Sequence, residues 1–150
     1  MGQHGLQMDP LHFQKLARVY LESPTNEYYK PSIEIQDGQA TIIIEAKQHL
    51  HHAAFAVHGS HYFKLLDDSA FFAANSLIPD VFVLTASFTV QFMRPVAEGA
   101  MTGTGRVTNR SKRLVWAESE LRDAQGRLLA TGSGTFMPSR VPLNPEIGYA

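Results

Sequence analysis

The spacing of apolar residues predicts a helix and then a β-hairpin in the first third of the chain. In residues 10–21 apolar side chains recur every three or four positions, and Asp9 followed by Pro10 is typical of a helix start. Residues 32–46 contain two extended stretches on either side of Asp37-Gly38, a dipeptide that favours a hairpin turn. The histidine-rich residues 48–57 follow, and we expect a loop there.

The remainder of the chain predicts one long helix followed by strands. Residues 58–77 carry apolar side chains on every side, which is typical of a buried helix. Residues 84–92 alternate between apolar and polar side chains and predict a strand with two different faces. Three more strands are expected at residues 101–108, 114–122 and 128–137, the last strands forming an antiparallel meander. The residues after Pro138 have no periodicity, and we expect a surface tail.

This order of elements indicates an α+β fold, in which one long helix packs against an antiparallel sheet of about six strands. The 150 residues are enough for one compact domain and too few for two. We expect an N-terminal helix and lead-in at residues 1–30, a main domain at 31–138 and a C-terminal tail at 139–150.

Composition excludes some partners. The formal charge of −1 argues against a large nucleic-acid-binding face, and no apolar run approaches the roughly 20 residues that cross a bilayer. The chain has no cysteine, so disulfides and a thiol nucleophile are ruled out. Its first residues lack a basic segment leading into an apolar run, and we expect a cytoplasmic protein.

Two consecutive acids interrupt the long helix. Asp68 follows Lys64 by four residues, so an ion pair on one helical face explains it without a function. Asp67 has only apolar neighbours on its own face, and burying an unpartnered carboxylate is costly. Either backbone amides or a loop histidine satisfy this acid, or it has a chemical role.

The start of the same helix favours the chemical role. His58-Gly59 precedes free backbone N–H groups that can hold a polarised carbonyl oxygen, and Gly59 lets that oxygen approach closely. A carboxylate and an oxyanion donor on one helix suit acyl transfer.

Residues 58–67, with the sequence HGSHYFKLLD, and residues 84–95, LTASFTVQFMRP, resemble two motifs of one enzyme family. These are the His-Gly-Gly…Leu-x-Asp motif and the following strand of hotdog-fold acyl-CoA thioesterases of the PaaI-like, phenylacetate-pathway type. The resemblance covers residues 32–138. It implies a hotdog fold, in which a curved antiparallel sheet wraps a long central helix. It also implies a homodimer or homotetramer with active sites between subunits. A long open edge at residues 84–92 would be an aggregation hazard, which independently favours pairing between subunits.

The resemblance also implies a role for each matching residue. Asp67 is the general base or nucleophile, the Gly59 N–H polarises the thioester carbonyl, and Thr85 helps to place the attacking water. Ser60 stands where the family has its second glycine, and His52 stands where the family often has asparagine. We expect both to contact substrate, and His58 to orient the helix entrance or, alternatively, to transfer a proton.

Other side chains carry weaker expectations. Arg110, Lys112 and Arg113 lie at a predicted hairpin tip, where they either contact coenzyme A phosphates or form a solvated turn. We expect no metal site from the histidines, because no acid joins them at a recognised ligand spacing. Several phenylalanines, at positions 55, 63, 71, 72, 82 and 88, are candidates for an acyl pocket or for the core.

The expected function is hydrolysis of a small-molecule acyl-CoA thioester, with coenzyme A entering only as part of the substrate and with no separate cofactor. Two alternatives remain: a hotdog hydratase or dehydratase, and a non-catalytic acyl-CoA-binding protein.

Overall fold

The computed structural model describes residues 8–150 and contains three helices and one six-stranded antiparallel sheet. The elements in chain order are α1 (Pro10–Leu21), α2 (Pro24–Tyr29), β1 (Ser32–Gln36), β2 (Gln39–Ala46), α3 (Gly59–Asn75), β3 (Val81–Phe92), β4 (Gly99–Arg110), β5 (Val115–Arg122) and β6 (Leu128–Pro142). Short 3₁₀ turns lie at Gln48–Leu50 and Pro145–Ile147. The expectation about the first residues concerns positions outside this described range.

The sheet has the order β1-β2-β4-β5-β6-β3, so β1 and β3 are its two edges. The predicted α+β class and the meander of β4, β5 and β6 are confirmed, and the curved sheet wraps α3 in the hotdog arrangement. Gly105 of β4 permits this packing, because a Cβ atom there would lie 2.3 Å from the Ser69 backbone of α3. Within residues 8–150, every helix is too short or too polar to span a bilayer.

The long helix is buried along most of its length, but not at every apolar position. Leu65, Leu66, Ala70 and Ala73 are completely inaccessible to solvent. Phe63, however, is 41% exposed. The expectation of a helix buried on every side is therefore wrong at Phe63, because the described strands cover its ring only in part, through Phe88.

Two terminal elements differ from the sequence prediction. The short helix α2 forms where no element was predicted: Ser23 is its N-cap and Pro24 its first helical residue, where proline's missing N–H is not needed. At the other end, β6 continues to Pro142, so the predicted tail begins inside the sheet. Pro138 and Pro142 of β6 pair with Val83 and Val81 of β3, on either side of a register shift. At such an irregularity, a strand tolerates proline, which has no N–H to donate to the neighbouring strand.

The last residues are fixed against α1. The buried His12 places Nε2 3.0 Å from the Asn75 carbonyl oxygen and Nδ1 2.8 Å from the Tyr149 hydroxyl. Because a carbonyl only accepts, Nε2 donates to Asn75, and in the neutral ring Nδ1 accepts from Tyr149. This places the turn at Pro145–Ile147 beside the middle of α3, where it contributes to the site described next.

Candidate active site

Asp67 lies in the middle of α3, partly buried, with the edge strand β3 beside it. The Thr85 hydroxyl donates a hydrogen bond of 2.8 Å to Asp67 Oδ1. Among the described residues, no group donates to Oδ2, so this oxygen is available to a ligand or to water. The predicted pair of Asp67 and Thr85 is thus brought together.

A β-bulge turns Thr85 towards the helix. Thr85 pairs with Phe136 and Ser87 with Thr135, so Ala86 is an extra residue in β3. Before the bulge the odd-numbered Val83 and Thr85 face α3, and after it the even-numbered Phe88 does. The expectation that Leu84 shares a face with Phe88 is therefore wrong, and Leu84 is 50% exposed.

Burial raises the pKa of the Asp67 carboxyl to about 6. The Thr85 hydrogen bond and the Lys64 ammonium oppose this shift, and the neighbouring Asp68 carboxylate adds to it. A carboxyl group with this pKa is mostly ionised at neutral pH and still accepts a proton readily, which suits a general base.

Asp68 is bound by its own neighbours through one oxygen, Oδ2. It accepts hydrogen bonds from Lys64 Nζ at 2.7 Å and from the Tyr20 hydroxyl at 2.8 Å. The Lys64 ammonium also lies 4.9 Å from the centre of the Tyr29 ring. The expected ion pair of Lys64 and Asp68 is present, and among the described residues Asp67 is hydrogen-bonded by the Thr85 hydroxyl and by no cationic side chain.

A cavity of about 760 Å³ opens beside Asp67, between α3, the N-terminal helices, β3 and the C-terminal turn. Its apolar wall comprises Phe71, Phe72, Phe82, Leu84, Val141 and Ile147. Of the phenylalanines considered from the sequence, those at 71, 72 and 82 line this cavity and those at 55, 63 and 88 do not. The arrangement can hold an apolar group next to a carboxylate.

The start of α3 provides the predicted donor. The His58 side chain caps the helix, since its Nδ1 accepts from the Ser60 N–H at 3.0 Å and lies 2.8 Å from Ser60 Oγ. These contacts fit an orienting role for His58 and occupy the Ser60 amide. The Gly59 N–H has no acceptor among the described residues. A side chain at Gly59 would meet the Phe92 ring at 3.0 Å.

Gly59 and Asp67 are not brought together within one chain. Eight residues separate them, which corresponds to about 12 Å along a helix. Neither Gly59 nor His58 lines the cavity beside Asp67. One carbonyl oxygen therefore cannot contact the Gly59 amide and the Asp67 carboxylate of the same chain.

The other candidate binding residues are exposed. His52 Nδ1 accepts from the Ala54 N–H at 3.0 Å and so stabilises its own loop. Arg110, Lys112 and Arg113 lie at the hairpin between β4 and β5 and do not line the cavity. Within residues 8–150, the histidine-rich segment does not assemble three potential metal ligands.

Sequence reasoning missed two contributors to the site. Tyr20 of α1 bonds Asp68, and Ile147 of the C-terminal turn lines the cavity. Tyr20 is one of the regularly spaced apolar positions of α1, and that spacing does not indicate a hydrogen bond to Asp68. The residues after Pro138 include further prolines and show no periodicity, so the sequence did not predict the C-terminal turn.

Comparisons with known proteins identify the family of this chain. The family model described as "Thioesterase superfamily" matches residues 49–130, more than half of the chain. A putative esterase from Sulfurisphaera tokodaii is 28% identical over 104 residues, 69% of this chain and 77% of that protein. A putative esterase from Saccharolobus solfataricus is 24% identical over 104 residues, 69% of this chain and 74% of that protein.

Solved structures have the same fold. The PaaI protein from the phenylacetic acid degradation operon of Escherichia coli superposes with a TM-score of 0.80 at 19% identity, covering 88% of this chain and 96% of that one. A conserved protein from Pseudomonas aeruginosa has a TM-score of 0.74 at 26% identity, covering 82% and 99%. With a matching family model over its central helix and following strands, the chain belongs to the thioesterase superfamily and has a hotdog fold.

Proposed function

We propose that this protein hydrolyses a small-molecule acyl-CoA thioester to the free acid and coenzyme A. The observation that carries the proposal is Asp67, a carboxylate of raised pKa with one free oxygen, in the wall of an apolar cavity. Family membership supports a hydrolase, since the curated relatives named above are called putative esterases.

Asp67 acts at the thioester carbonyl by one of two routes. As a general base, it takes a proton from water while the oxygen of that water attacks the carbonyl carbon, and the coenzyme A thiolate then leaves and takes up a proton. As a nucleophile, its own oxygen attacks, the thiolate leaves and water then hydrolyses the mixed anhydride. Thr85 holds Oδ1 in either case and leaves Oδ2 for the reaction. A positioned acid–base group contributes about 10²- to 10⁴-fold in rate.

The oxyanion donor of this proposal is the Gly59 N–H of a second copy of the chain. The two groups are about 12 Å apart within one helix, whereas a carbonyl must lie about 3 Å from each of them. The unpaired edge of β3 provides the surface on which a second copy can pair. One such donor is worth about 10²- to 10³-fold in rate. A homodimer is therefore the smallest active form, and a homotetramer contains two such dimers.

Sheet register supports a role for the basic hairpin in holding coenzyme A. Arg110 pairs with Val115, Val115 with Phe136, and Phe136 with Thr85. At about 4.8 Å per strand, Arg110 is about 14 Å from Thr85 at the same end of the sheet. Lys112 and Arg113 extend further from that end. A thioester at Asp67 can direct its phosphates towards these three side chains, and His52 and Ser60 lie beside the helix start that holds the carbonyl.

No cofactor other than the coenzyme A of the substrate forms part of the proposal, and the expected location is the cytoplasm. Neither nucleic acid nor a membrane is proposed as a partner.

The test is release of free thiol from a panel of aryl, short and long acyl-CoA thioesters. Asp67→Asn keeps the shape of the side chain and is expected to reduce turnover at least 100-fold while the oligomer persists. Asp37→Asn, at the exposed hairpin turn, is the matched control and should retain full turnover. Undiminished hydrolysis by the Asp67 variant would defeat the assignment. Hydration of crotonyl-CoA without thiol release, or tight binding of intact acyl-CoA, would support the hydratase or the binding protein instead.

A further inference from the structure

Phe55 is held in an unusual position at the surface. Its side chain is 80% exposed, and its backbone has φ of +64°, the left-handed region that bulky residues seldom adopt. It lies outside the hydrophobic core, so packing against residues 8–150 does not account for the ring. A large apolar side chain kept exposed in a strained conformation indicates a contact that the described part of one chain does not supply.

The surrounding loop fixes this conformation. The His52 N–H donates to the Ala56 carbonyl at 2.9 Å, and the Phe55 N–H donates to the His52 carbonyl at 3.2 Å. The Ala54 N–H donates to His52 Nδ1 at 3.0 Å. At the base of the loop, His51 and Val57 form a β-bridge. Phe55 is therefore presented on a closed, hydrogen-bonded turn.

The position of this turn relative to the proposed site follows from chain length, and this step rests on the proposed function. Phe55 precedes Gly59 by four residues, which span at most about 14 Å. When the Gly59 N–H of a second copy lies about 3 Å from the carbonyl beside Asp67, Phe55 of that copy lies within about 17 Å of the same carbonyl. Leu84 and Val141 belong to the apolar wall of the cavity, and their side chains are 50% and 42% exposed. In one chain, this apolar wall is therefore open to solvent.

We infer that Phe55 of one subunit covers the acyl group in the cavity of the other subunit. The ring completes the apolar wall begun by Phe82 and Leu84 and excludes water from the acyl chain. The preferred substrates are then thioesters of apolar acyl groups large enough to reach the ring. Acetyl-CoA is too short to gain from this contact.

The first test replaces Phe55 with asparagine, which tolerates the left-handed conformation and removes the ring. We expect kcat/KM for hexanoyl-CoA and benzoyl-CoA to fall at least tenfold, mainly through KM, and kcat/KM for acetyl-CoA to change less than twofold. The melting temperature should not fall, because a strained residue is replaced. Phe55→Tyr keeps the ring and should keep the preference. An equal loss for all three substrates, or no loss, would overturn the inference.

A second test asks whether the ring acts across subunits. Subunits with Asp67→Asn are co-expressed with subunits carrying Phe55→Asn, and hexanoyl-CoA hydrolysis is measured. In a symmetric dimer, each mixed pair has one site with both Asp67 and Phe55 intact, so random pairing restores about a quarter of wild-type activity. Activity no higher than the mean of the two parent variants would refute action between subunits. If the wild-type protein released no thiol from any acyl-CoA, the proposed function itself would fail.

Discussion

Replacing Asp67 by asparagine should stabilise the folded protein while it removes catalysis. Asparagine has nearly the same shape as aspartate and can still accept the Thr85 hydrogen bond through its carbonyl oxygen. It carries no charge, so the cost of burying an ionised carboxylate disappears. The expected gain in the free energy of unfolding follows from the pKa of Asp67.

The pKa of this carboxyl rises from 3.8 to about 6 on folding. The folded protein thus binds the proton more tightly than the unfolded chain, and ionised Asp67 opposes folding. The penalty is absent below the unfolded pKa and develops as the pH rises from about 4 to 6. Two pKa units correspond to about 3 kcal/mol at pH 7.5, and the same linkage gives about 1 kcal/mol at pH 4.5. Because the carboxylate is only partly buried, these are upper limits.

The assay is urea unfolding of the wild-type protein and the variant from pH 4.5 to pH 7.5. Protein concentration is held constant, since oligomer stability depends on it. The variant should be more stable throughout, and its advantage should increase by up to about 2 kcal/mol across this range. Asp37→Asn, at an exposed turn, should show no such trend. A stability difference independent of pH, or a less stable variant, would refute the burial argument.

Two other outcomes test the contacts of the site and of the fold. For the wild-type protein, kcat/KM should decrease about tenfold per pH unit below about 6. Thr85→Val should move this limb to higher pH, because the Thr85 hydrogen bond holds the pKa of Asp67 down and its loss raises that pKa. Thr85→Ser should leave the limb in place, and an unmoved limb in the valine variant would contradict the contact. Gly105→Ala should lower the melting temperature by about 6 °C or more, since its Cβ would overlap the Ser69 backbone at 2.3 Å. Gly103→Ala, whose Cβ would lie 3.0 Å from a carbonyl oxygen, should cost less, and equal losses would disprove this packing.

The sequence predicted the fold well wherever one period continued without interruption. The bounds of α1 and the pairing of β4, β5 and β6 agree with the apolar spacing and the turn residues. Proline produced the errors at both ends. The short helix α2, which begins at Pro24, was not predicted, and in β6, Pro138 lies within a strand that was expected to stop. Whether a proline begins a helix or lies within a strand depends on the local backbone geometry, and the presence of proline alone does not indicate which occurs.

The candidate site was predictable in its residues and less so in its geometry. The pattern of α3 identified Asp67 as the acid without a local partner and Asp68 as the partner of Lys64. It could not place Thr85, because alternation along β3 put Thr85 and Phe88 on opposite faces. The bulge at Ala86 reverses that alternation, and a single inserted residue has no signature in the hydrophobic pattern.

In the proposed mechanism, the same features make a single folded chain an incomplete site. Leu84, Phe63 and Phe92 are all substantially exposed on or beside the edge strand β3, and that edge has unpaired backbone groups. A monomer would leave this apolar edge open to uncontrolled association. Pairing two copies there covers the edge and, in the proposed mechanism, brings a Gly59 amide to the Asp67 of the other chain. In that mechanism, the partly buried Asp67 and the exposed edge of β3 are each unfavourable in a monomer. Assembly covers the edge and also creates the site in which the raised pKa of Asp67 is useful.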